Sequence, residues 1–538
     1  MEFDRTRLLS RGAAARAAGH WRDVTLLDHL DRAVAATPDK PAVHATRAED
    51  GAARTLSYAA LDRLSSEAAC GLRRLGVTPG DVVSFQLPNW WEFTVLHLAC
   101  LKAGAVSNPL MTIFRERELR FMLGHAGTRV LITASSFRGH DHRALAYAVR
   151  DAVPTLAHVR IAGAAGPEGF DSLLGATDGA DRRPDPDDVI QLLYTSGTTG
   201  EPKGVMHTSN TMLSNLVPFA ARLGLGRADV IHMPSPLAHQ LGFMYGVVLP
   251  VMLGATSVLQ DVFAPDTMAA QIRETGATFT MGATPFLNDL AEHVGASGAG
   301  TATLRTFVSA GAPIPPALVG RARAALGCAV ISAWGMSENG AVTTTRPDDS
   351  EARITGTDGI ALDGMEVRIV DAQGGALPPD TEGRLQVRGC SNFVGYLGRP
   401  DLDNTDAEGW FDTGDLARMD AAGYIRICGR SKDIIIRGGE NIPVVEVESL
   451  IFRHPAVAEV AVVGYPDPRL GERACAVVRL RAGATLDFAG LRAHLEEQRM
   501  ARHYMPERLL VLDELPRTPS GKVQKFRLRA MLAEAPAP

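Results

Sequence analysis

Short apolar runs that alternate with longer amphipathic stretches constrain the fold of this chain most strongly. Residues 81–87 form an apolar run typical of a strand, and residues 91–105 then show the apolar spacing of a helix. The same pairing recurs at 130–133 with 142–152 and at 279–281 with 285–294. Strands that alternate with helices in this way predict parallel sheets covered by helices.

The pattern changes after about residue 353. Three short strands, 366–371, 383–388 and 424–428, are separated by turns rich in Gly, Pro and Asp, which predicts an antiparallel sheet or a small barrel. Residues 443–500 then read as helix, strand, strand and helix, which predicts a final α+β unit. The expected fold class is therefore α/β, with a large first part, a β-barrel-like part and a small last part.

Composition excludes several classes of function. The 538 residues carry a formal net charge of −6, so no basic field is available for nucleic acid. Six scattered cysteines without paired spacing fit a reducing compartment, and the first 16 residues lack the apolar core of a signal peptide. Residues 239–260 are long and apolar enough to be weighed as a membrane span, but their glycines and proline favour buried helix and strand. We expect a cytoplasmic protein without a membrane span.

A loop suited to phosphate follows the apolar run 189–194. Its glycines allow the backbone to approach an anion closely, its hydroxyls and N–H groups can donate hydrogen bonds, and its lysine adds positive charge. The loop lacks the spacing of the Walker motif. Its candidate phosphate-binding residues are Thr195, Ser196, Gly197, Thr198, Thr199, Gly200 and Lys203.

Four further motifs follow this loop in order along the chain. They are Trp334-Gly-Met-Ser-Glu338, residues 409–415 (GWFDTGD), residues 429–433 (GRSKD) leading into 437–441 (RGGEN), and residues 516–525 (PRTPSGKVQK). Together with the loop they resemble the adenylate-forming superfamily, which holds acyl-CoA synthetases, luciferases and the adenylation domains of peptide synthetases. The resemblance covers nearly the whole chain. It implies that a carboxylic acid and ATP form an acyl-adenylate, whose acyl group then passes to a thiol.

The resemblance also assigns roles to residues around the nucleotide. Glu338 matches the glutamate that binds Mg²⁺, a cation that prefers hard oxygen ligands. Thr198 and Thr199 would hold the β- and γ-phosphates, Asp415 the ribose hydroxyls, and Arg430 the ribose or a phosphate. Lys522 would bridge the acyl carboxylate and the α-phosphate, as a point charge on a flexible stem can. The remaining nucleotide-site positions are Gly311, Ala312 and Pro313 along the adenine, with Trp334, Gly335, Met336 and Ser337 in the motif before Glu338.

Two further groups of residues follow from the same resemblance. Lys432 matches a hinge, which divides the chain into an N-terminal domain, 1–431, and a mobile C-terminal domain, 432–538. Gly438 and Gly439 then fall beside the pantetheine arm of CoA. Trp334 stands where a tyrosine is common, which changes the shape of the acyl pocket. The predicted acyl-pocket residues are His239, Gln240 and Phe243, in a segment that resembles the family's acyl-site wall, and Met281, Gly282 and Ala310, in segments that end strands.

The sequence thus predicts an acyl-CoA synthetase that uses ATP, Mg²⁺ and CoA. Its texture is most similar to synthetases of medium-chain or alicyclic acids, and a bulky apolar acid of specialised metabolism fits equally well. The main alternative is a ligase that loads an acyl carrier protein instead of CoA. A luciferase would need a special luciferin, and a nucleotide-binding pseudoenzyme would be expected to lack Lys522, Glu338 or the phosphate loop.

Overall fold

The computed structural model describes residues 5–177, 179, 181–195, 202–311, 314–430, 435–437, 440–467, 471–498, 500, 502–518 and 521–534. Its α-helices are α1 (Arg5–Ala17), α2 (Leu26–Ala36), α3 (Tyr58–Arg74), α4 (Trp91–Ala103), α5 (Glu116–His125), α6 (His142–Arg150), α7 (Ser209–Leu223), α8 (Gln240–Phe243), α9 (Leu249–Leu253), α10 (Pro265–Thr275), α11 (Thr284–Ser297), α12 (Pro316–Leu326), α13 (Glu351–Gly356), α14 (Val444–Phe452), α15 (Phe488–Glu497) and α16 (Lys525–Glu534).

The strands are β1 (Pro41–Thr46), β2 (Ala53–Ser57), β3 (Val82–Gln86), β4 (Val106–Pro109), β5 (Thr128–Ala134), β6 (Ser136–Phe137), β7 (His140–Asp141), β8 (His158–Ala162), β9 (Val189–Thr195), β10 (Lys203–Thr208), β11 (Val230–Met233), β12 (Thr256–Gln260), β13 (Phe279–Gly282), β14 (Thr306–Ala310), β15 (Ala329–Met336), β16 (Gly340–Thr344), β17 (Ile360–Ala361), β18 (Met365–Val370), β19 (Gly383–Gly389), β20 (Gly395–Tyr396), β21 (Phe411–Met419), β22 (Ile425–Arg430), β23 (Ile435–Arg437), β24 (Glu440–Ile442), β25 (Val457–Asp467), β26 (Gly471–Leu480) and β27 (Arg508–Val511). A π-helix, Met244–Val248, joins α8 to α9.

Two large sheets build most of the molecule. The nine-stranded sheet has the order β17-β16-β15-β14-β13-β11-β12-β1-β2, and the seven-stranded sheet has the order β20-β10-β9-β4-β3-β5-β8. Strands β11 to β15 are parallel neighbours in the first sheet, and β9, β4, β3, β5 and β8 are parallel neighbours in the second. One hydrophobic core fills the space between the sheets and includes residues of α3, α4 and α7. The predicted helix-covered parallel sheets are confirmed.

The predicted antiparallel part is a four-stranded sheet with the order β18-β19-β21-β22. Its ladders follow an open path, so an antiparallel sheet describes this part better than a closed barrel does. The last part of the chain forms its own sheet, β24-β23-β26-β25 with β27 beside β26, covered by α14, α15 and α16. We refer to residues 435–534 as the C-terminal unit.

Local sequence explains where several elements begin and end. The predicted helix from residue 91 ends at Ala103 because Gly104 adopts a left-handed φ of 72°, which glycine tolerates best. The segment 239–260 consists of buried α8, the π-helix, α9 and β12, as the sequence predicted. Within the described residues, no helix combines the length and the apolar character that crossing a membrane requires.

Candidate functional site

The candidate site lies where neighbouring parallel strands of the nine-stranded sheet end. Strands β11, β13, β14 and β15 run side by side, so their carboxyl ends meet at one edge. That edge receives residues 234–239 after β11, Gly282 at the end of β13, Gly311 after β14, and the motif Trp334–Glu338 at the end of β15. Ligands of open α/β sheets bind at such an edge. The sheet therefore brings the predicted adenine, acyl and motif residues together.

Glu338 is held by a partner that the sequence analysis did not identify. Its side chain is 7% exposed, and its Oε1 accepts a 2.7 Å hydrogen bond from the hydroxyl of Tyr396. Burial and the neighbouring Glu338 carboxylate both raise the pKa of Tyr396 above its ordinary value. The ammonium of Lys203 lies 4.7 Å from the centre of the Tyr396 ring. Tyr396 therefore contacts both charged residues: its ring lies beside the Lys203 ammonium, and its hydroxyl donates to the Glu338 carboxylate.

The backbone around Glu338 is fixed from several sides. His207 Nε2 donates to the carbonyl of Ser337 at 2.7 Å, and the N–H of Phe393 donates to the carbonyl of Glu338 at 2.6 Å. Asn215 Nδ2 donates to the carbonyls of Asn339 and Ala341. Because fixed hydrogen bonds leave little freedom, the Glu338 carboxylate is held in place before any ligand binds.

Asp415 and Trp334 meet at the ribose end of the predicted nucleotide site. Trp334 Nε1 donates a 3.0 Å hydrogen bond to Asp415 Oδ2, and Asp415 is 3% exposed. Asp415 lies inside β21, where β19 pairs with residues on both sides of it and β22 pairs from Asp415 onward. Arg430 is its register partner on β22. Asp415 thus contacts the motif at 334–338 through Trp334 and pairs with the motif at 429–433 through the backbone of Arg430.

Lys522 of the C-terminal unit reaches this edge. A β-carbon on Gly311 would come 2.9 Å from Lys522 Cε and 3.7 Å from its Nζ, and Gly311 has a left-handed φ of 84°. The turn that carries Lys522 is closed by a 2.7 Å hydrogen bond from the N–H of Thr518 to the carbonyl of Lys522. A β-carbon on Gly521 would lie 3.2 Å from Ala283. The lysine turn is therefore packed against the ends of β13 and β14.

His239 faces the same lysine. Burial, and secondarily the charge of Lys522, lower the pKa of His239 to about 3, so its ring is neutral near pH 7. Its Nδ1 accepts a 3.3 Å hydrogen bond from the N–H of Leu241. A neutral imidazole carries one proton, so that proton lies on Nε2. His239 offers the site an N–H donor without a positive charge.

Helix α11 forms the contact between the C-terminal unit and the nine-stranded sheet. Glu292 of α11 forms an ion pair with Arg481. Arg321 donates to Asn288 Oδ1 at 2.5 Å, and its guanidinium lies 5.9 Å from the Phe452 ring of the C-terminal unit. These contacts hold the C-terminal unit in the pose that brings Lys522 to Gly311.

The other predicted acyl-pocket residues are buried. Met281 is 3% exposed, Ala310 7% and Gln240 3%. Phe243 is fully buried, with its ring 4.7 Å from the His97 ring. Gly282 lies against Phe286, with 3.0 Å between a β-carbon there and Phe286 Cδ2.

Several predicted positions lie outside the described residues. They are Ser196, Gly197, Thr198, Thr199, Gly200, Ala312, Pro313, Lys432, Gly438 and Gly439. Thr195, the last residue of β9, and Lys203, the first of β10, are register partners and so flank the predicted phosphate loop at its base.

Comparison with known proteins decides the family. The family model described as "AMP-binding enzyme" matches residues 30–397, and the model of the "AMP-binding enzyme C-terminal domain" matches residues 446–522. The chain belongs to the AMP-binding enzyme family. The predicted adenylate-forming family is confirmed by these matches.

Individual relatives match over nearly the whole chain. The medium-chain fatty-acid–CoA ligase of Escherichia coli is 39% identical over 96% of this chain and 92% of its own length. The salicyl-AMP ligase/salicyl-S-ArCP synthetase of Mycobacterium tuberculosis is 34% identical over 98% of this chain and 94% of its own. The solved structure of the anthranilate CoA ligase AuaEII in complex with anthranoyl-AMP matches with a TM-score of 0.86 and 26% identity, covering 95% of this chain and 98% of that one. The predicted enzyme class, an ATP-dependent acid–thiol ligase, is confirmed.

Sequence reasoning missed three groups of residues here: Tyr396, the Asn215 network and the α11 contact with Arg481. Tyr396 reaches Glu338 only because β20 pairs with β10, where Tyr396 is the register partner of Val205. A Gly-Tyr pair in a short strand carries no motif of its own. Hydrophobic periodicity gives no signal for such long-range pairings.

Proposed function

We propose that this chain joins a carboxylic acid to CoA in two steps at one site. In the first, a carboxylate oxygen attacks the α-phosphorus of ATP, the bond to the β-phosphate oxygen breaks, and pyrophosphate leaves. In the second, the CoA thiol loses its proton, its sulfur attacks the acyl carbon, and AMP leaves with the electrons of the bond between the acyl carbon and the phosphate oxygen. The acid we propose is medium-chain, alicyclic or otherwise bulky. The single observation that carries the proposal is the position of Lys522 against Gly311, beside neutral His239.

The first step brings two anions together, so the site must neutralise charge and align the reactants. Lys522 supplies a mobile positive charge at the edge where Gly311 and His239 lie. The N–H group of His239 Nε2 donates a hydrogen bond to the acyl carboxylate. Because the ring is neutral, it adds no second positive charge beside Lys522. Ala310 and Met281 are buried apolar residues, which we propose exclude water from the adenylate.

Mg²⁺ fits the chemistry of Glu338. One oxygen of this carboxylate is held by Tyr396, and the fixed backbone behind it orients the group. Among the residues that the structure describes, no group of three or more His, Cys, Asp or Glu side chains could hold a metal on its own. Such a site suits Mg²⁺, which usually keeps water and takes phosphate oxygens as further ligands. When bound, the ion would supply charge neutralisation at the phosphates.

The proposed ribose-binding carboxylate, like that of Glu338, is oriented by a neighbouring side chain. We propose that Asp415 accepts hydrogen bonds from the ribose hydroxyls while Trp334 fixes its carboxylate. Arg430, on the strand paired with Asp415, would support the ribose or a phosphate. Thr195 and Lys203 hold the base of the phosphate loop, whose residues Ser196 to Gly200 are proposed to bind the β- and γ-phosphates.

The second step needs a different pose of the C-terminal domain. We propose the boundary at Lys432, with Gly438 and Gly439 beside the pantetheine arm. Support comes from the separate sheet of the C-terminal unit and from its contact with α11, in which Arg481 pairs with Glu292. Proline at position 432 would fix φ near about −65° and restrict the preceding residue. Lys432→Pro should therefore keep acyl-AMP formation and lose thioester formation.

The second candidate acceptor is an acyl carrier protein, favoured by the relative named salicyl-S-ArCP synthetase. We propose CoA as the main acceptor because the more similar relative is named a CoA ligase. The deciding experiment offers the purified enzyme a panel of acids with MgATP and either CoA or a phosphopantetheinylated carrier protein. Thioester formation at least tenfold faster with CoA supports the proposal, and the reverse ratio would favour the carrier protein.

We also propose a cytoplasmic location, since all six cysteines are free thiols and five of them are buried.

A further inference from the structure

A row of buried polar side chains crosses the seven-stranded sheet. Ser107 of β4 is the register partner of Gln191 of β9, and Gln191 is the register partner of His207 of β10. Register partners project from the same face of a sheet, so the three side chains lie next to one another. None is more than 1% exposed. In the interior of a protein such groups almost always have hydrogen-bond partners.

His97 of α4 lies at one end of this row, and its tautomer follows from its neighbours. His97 Nδ1 is 2.9 Å from Ser107 Oγ, and Ser107 Oγ is 3.0 Å from the carbonyl of Ile190. A serine hydroxyl has one proton to donate. Both contacts are hydrogen bonds only if Ser107 donates to the carbonyl and His97 Nδ1 donates to Ser107.

The other nitrogen of His97 is therefore a bare acceptor. Burial lowers the pKa of His97 to about 3, so the ring is neutral near pH 7 and its single proton lies on Nδ1. Nε2 is buried and has no hydrogen-bond partner in the described part of the chain. It can be satisfied only by a group that donates a hydrogen bond.

Two glutamines also have buried polar atoms without hydrogen-bond partners in the described ranges. Both amide atoms of Gln191 and both of Gln240 are buried without a hydrogen-bond partner among the described residues. Gln240 and Phe243 are three residues apart in α8 and so share a face of the helix, and the Phe243 ring is 4.7 Å from the His97 ring. Gln240 also directly follows His239. Neighbouring side chains thus link Gln240 to Gln191 through Phe243, His97 and Ser107. We call His97, Gln191 and Gln240 the polar cluster.

We propose that the polar cluster binds a neutral hydrogen-bond donor, a hydroxyl group, carried by the acid at a distance from its carboxylate. The proposal rests on the proposed function and narrows its substrate class to hydroxylated ring or chain acids. The hydroxyl would donate to His97 Nε2 and accept from a glutamine amide N–H. A purely apolar acid would leave these groups without partners, which a site built for hydrogen bonding disfavours strongly. Ordered water is the competing occupant.

Matched acids test the proposal. Pyrophosphate release is measured for benzoate and cyclohexanecarboxylate, for their 2-, 3- and 4-hydroxy derivatives, and for the corresponding methyl ethers, which keep the oxygen but lose the donor. At one ring position the hydroxy acid should exceed both its parent and its methyl ether at least tenfold in kcat/KM. Equal or lower kcat/KM for the hydroxy acid at every position would overturn the proposal and indicate water in the cluster.

A variant of the cluster and a matched control sharpen the test. His97→Phe keeps an aromatic ring but removes the acceptor. The preference, which is the ratio of kcat/KM for the hydroxy acid to kcat/KM for its parent, should fall at least tenfold, while kcat/KM for the parent acid should change less than threefold. His232 of β11 is also fully buried and neutral, and its Nδ1 also lacks a partner within the described residues, but its Nε2 contacts Gln271 of α10 and it lies outside the polar cluster. His232→Phe should keep the preference. A preference that survives in His97→Phe would contradict the proposal.

Two further measurements cover misfolding and inactivity. If His97→Phe does not fold, Gln191→Leu and Gln240→Leu must each lower the preference at least threefold, and an unchanged preference in both counts against the proposal. Thermal-shift binding of the same acids needs no turnover. If no acid releases pyrophosphate but the hydroxy acids still stabilise wild type more than His97→Phe, the proposed function fails and the polar cluster stands. If no acid is turned over or bound, both fail.

Discussion

Three polar groups at the proposed nucleotide end have hydrogen-bond partners within the protein, whereas, over the part of the chain that the structure describes, two glutamines toward the proposed acyl end do not. At the nucleotide end, Glu338 is held by Tyr396, Asp415 by Trp334, and the Ser337 carbonyl by His207. In the polar cluster, both amide atoms of Gln191 and of Gln240 have no hydrogen-bond partner within the described residues. A group that already has its partners is oriented before the ligand arrives, whereas an unpartnered group gains its partner from the ligand. Under the proposed function, the first group of residues suits the nucleotide common to every turnover, and the polar cluster suits a particular acid.

The largest effect should come from breaking the nucleotide end. Glu338→Ala removes the oriented carboxylate, so adenylation should fall about a thousandfold for every acid. The variant should stay folded, with a moderate drop in unfolding temperature because the Tyr396 hydroxyl loses its partner. Glu351→Ala, on an exposed glutamate in α13, is the matched control and should keep normal activity. Normal pyrophosphate release by folded Glu338→Ala would refute the assignment.

Lys522→Ala should produce a loss confined to one half-reaction. Without the charge beside Gly311, adenylation should fall about a hundredfold, while conversion of supplied acyl-AMP and CoA to the thioester stays within about threefold of wild type. Pyrophosphate exchange and a synthetic acyl-adenylate measure the two steps separately. Lys525→Ala, which removes a lysine paired with Glu448 in the same unit, should spare both steps. Equal losses in both half-reactions of Lys522→Ala would contradict domain alternation.

A smaller and more specific effect is expected at the contact between α11 and the C-terminal unit. Half-buried ion pairs stabilise weakly, but reversing one charge creates repulsion. Arg481→Glu should lower adenylation about tenfold by displacing Lys522, equally for all acids, and leave thioester formation from acyl-AMP unchanged. The double variant Glu292→Arg/Arg481→Glu should recover most of the loss. If the double variant does not recover adenylation activity, the Glu292–Arg481 ion pair does not position Lys522.

The smallest effect concerns pH and stability at the acyl end. Burial lowers the pKa of His97 and of His239 to about 3, below the value of about 6.5 in an unfolded chain. The unfolded state therefore binds protons first as pH falls below about 6.5, and each histidine costs up to about 1.4 kcal/mol of stability per pH unit. Stability should be full above pH 7 and decline toward pH 5. Unfolding temperatures should decline less steeply with acid in His97→Phe than in wild type, and an identical slope would contradict the burial argument.

The same contrast explains what could be predicted from the sequence. Strand and helix patterns predicted the parallel sheets, and the motifs singled out Glu338, Asp415 and Lys522 as candidates, because each signal lies within a few consecutive residues. Tyr396 could not be predicted, since it reaches Glu338 only through the pairing of β20 with β10. Nor could the polar cluster, because a buried glutamine without a partner is recognised only when its neighbours in space are known.

The most direct test of the central claim is the identity of the intermediate. The enzyme is incubated with MgATP and the acid that releases pyrophosphate fastest, without CoA, and the bound products are identified by mass spectrometry. We predict that acyl-AMP accumulates with one pyrophosphate per acyl group, and that added CoA converts it to acyl-CoA and AMP. An acyl phosphate formed together with ADP would contradict the account.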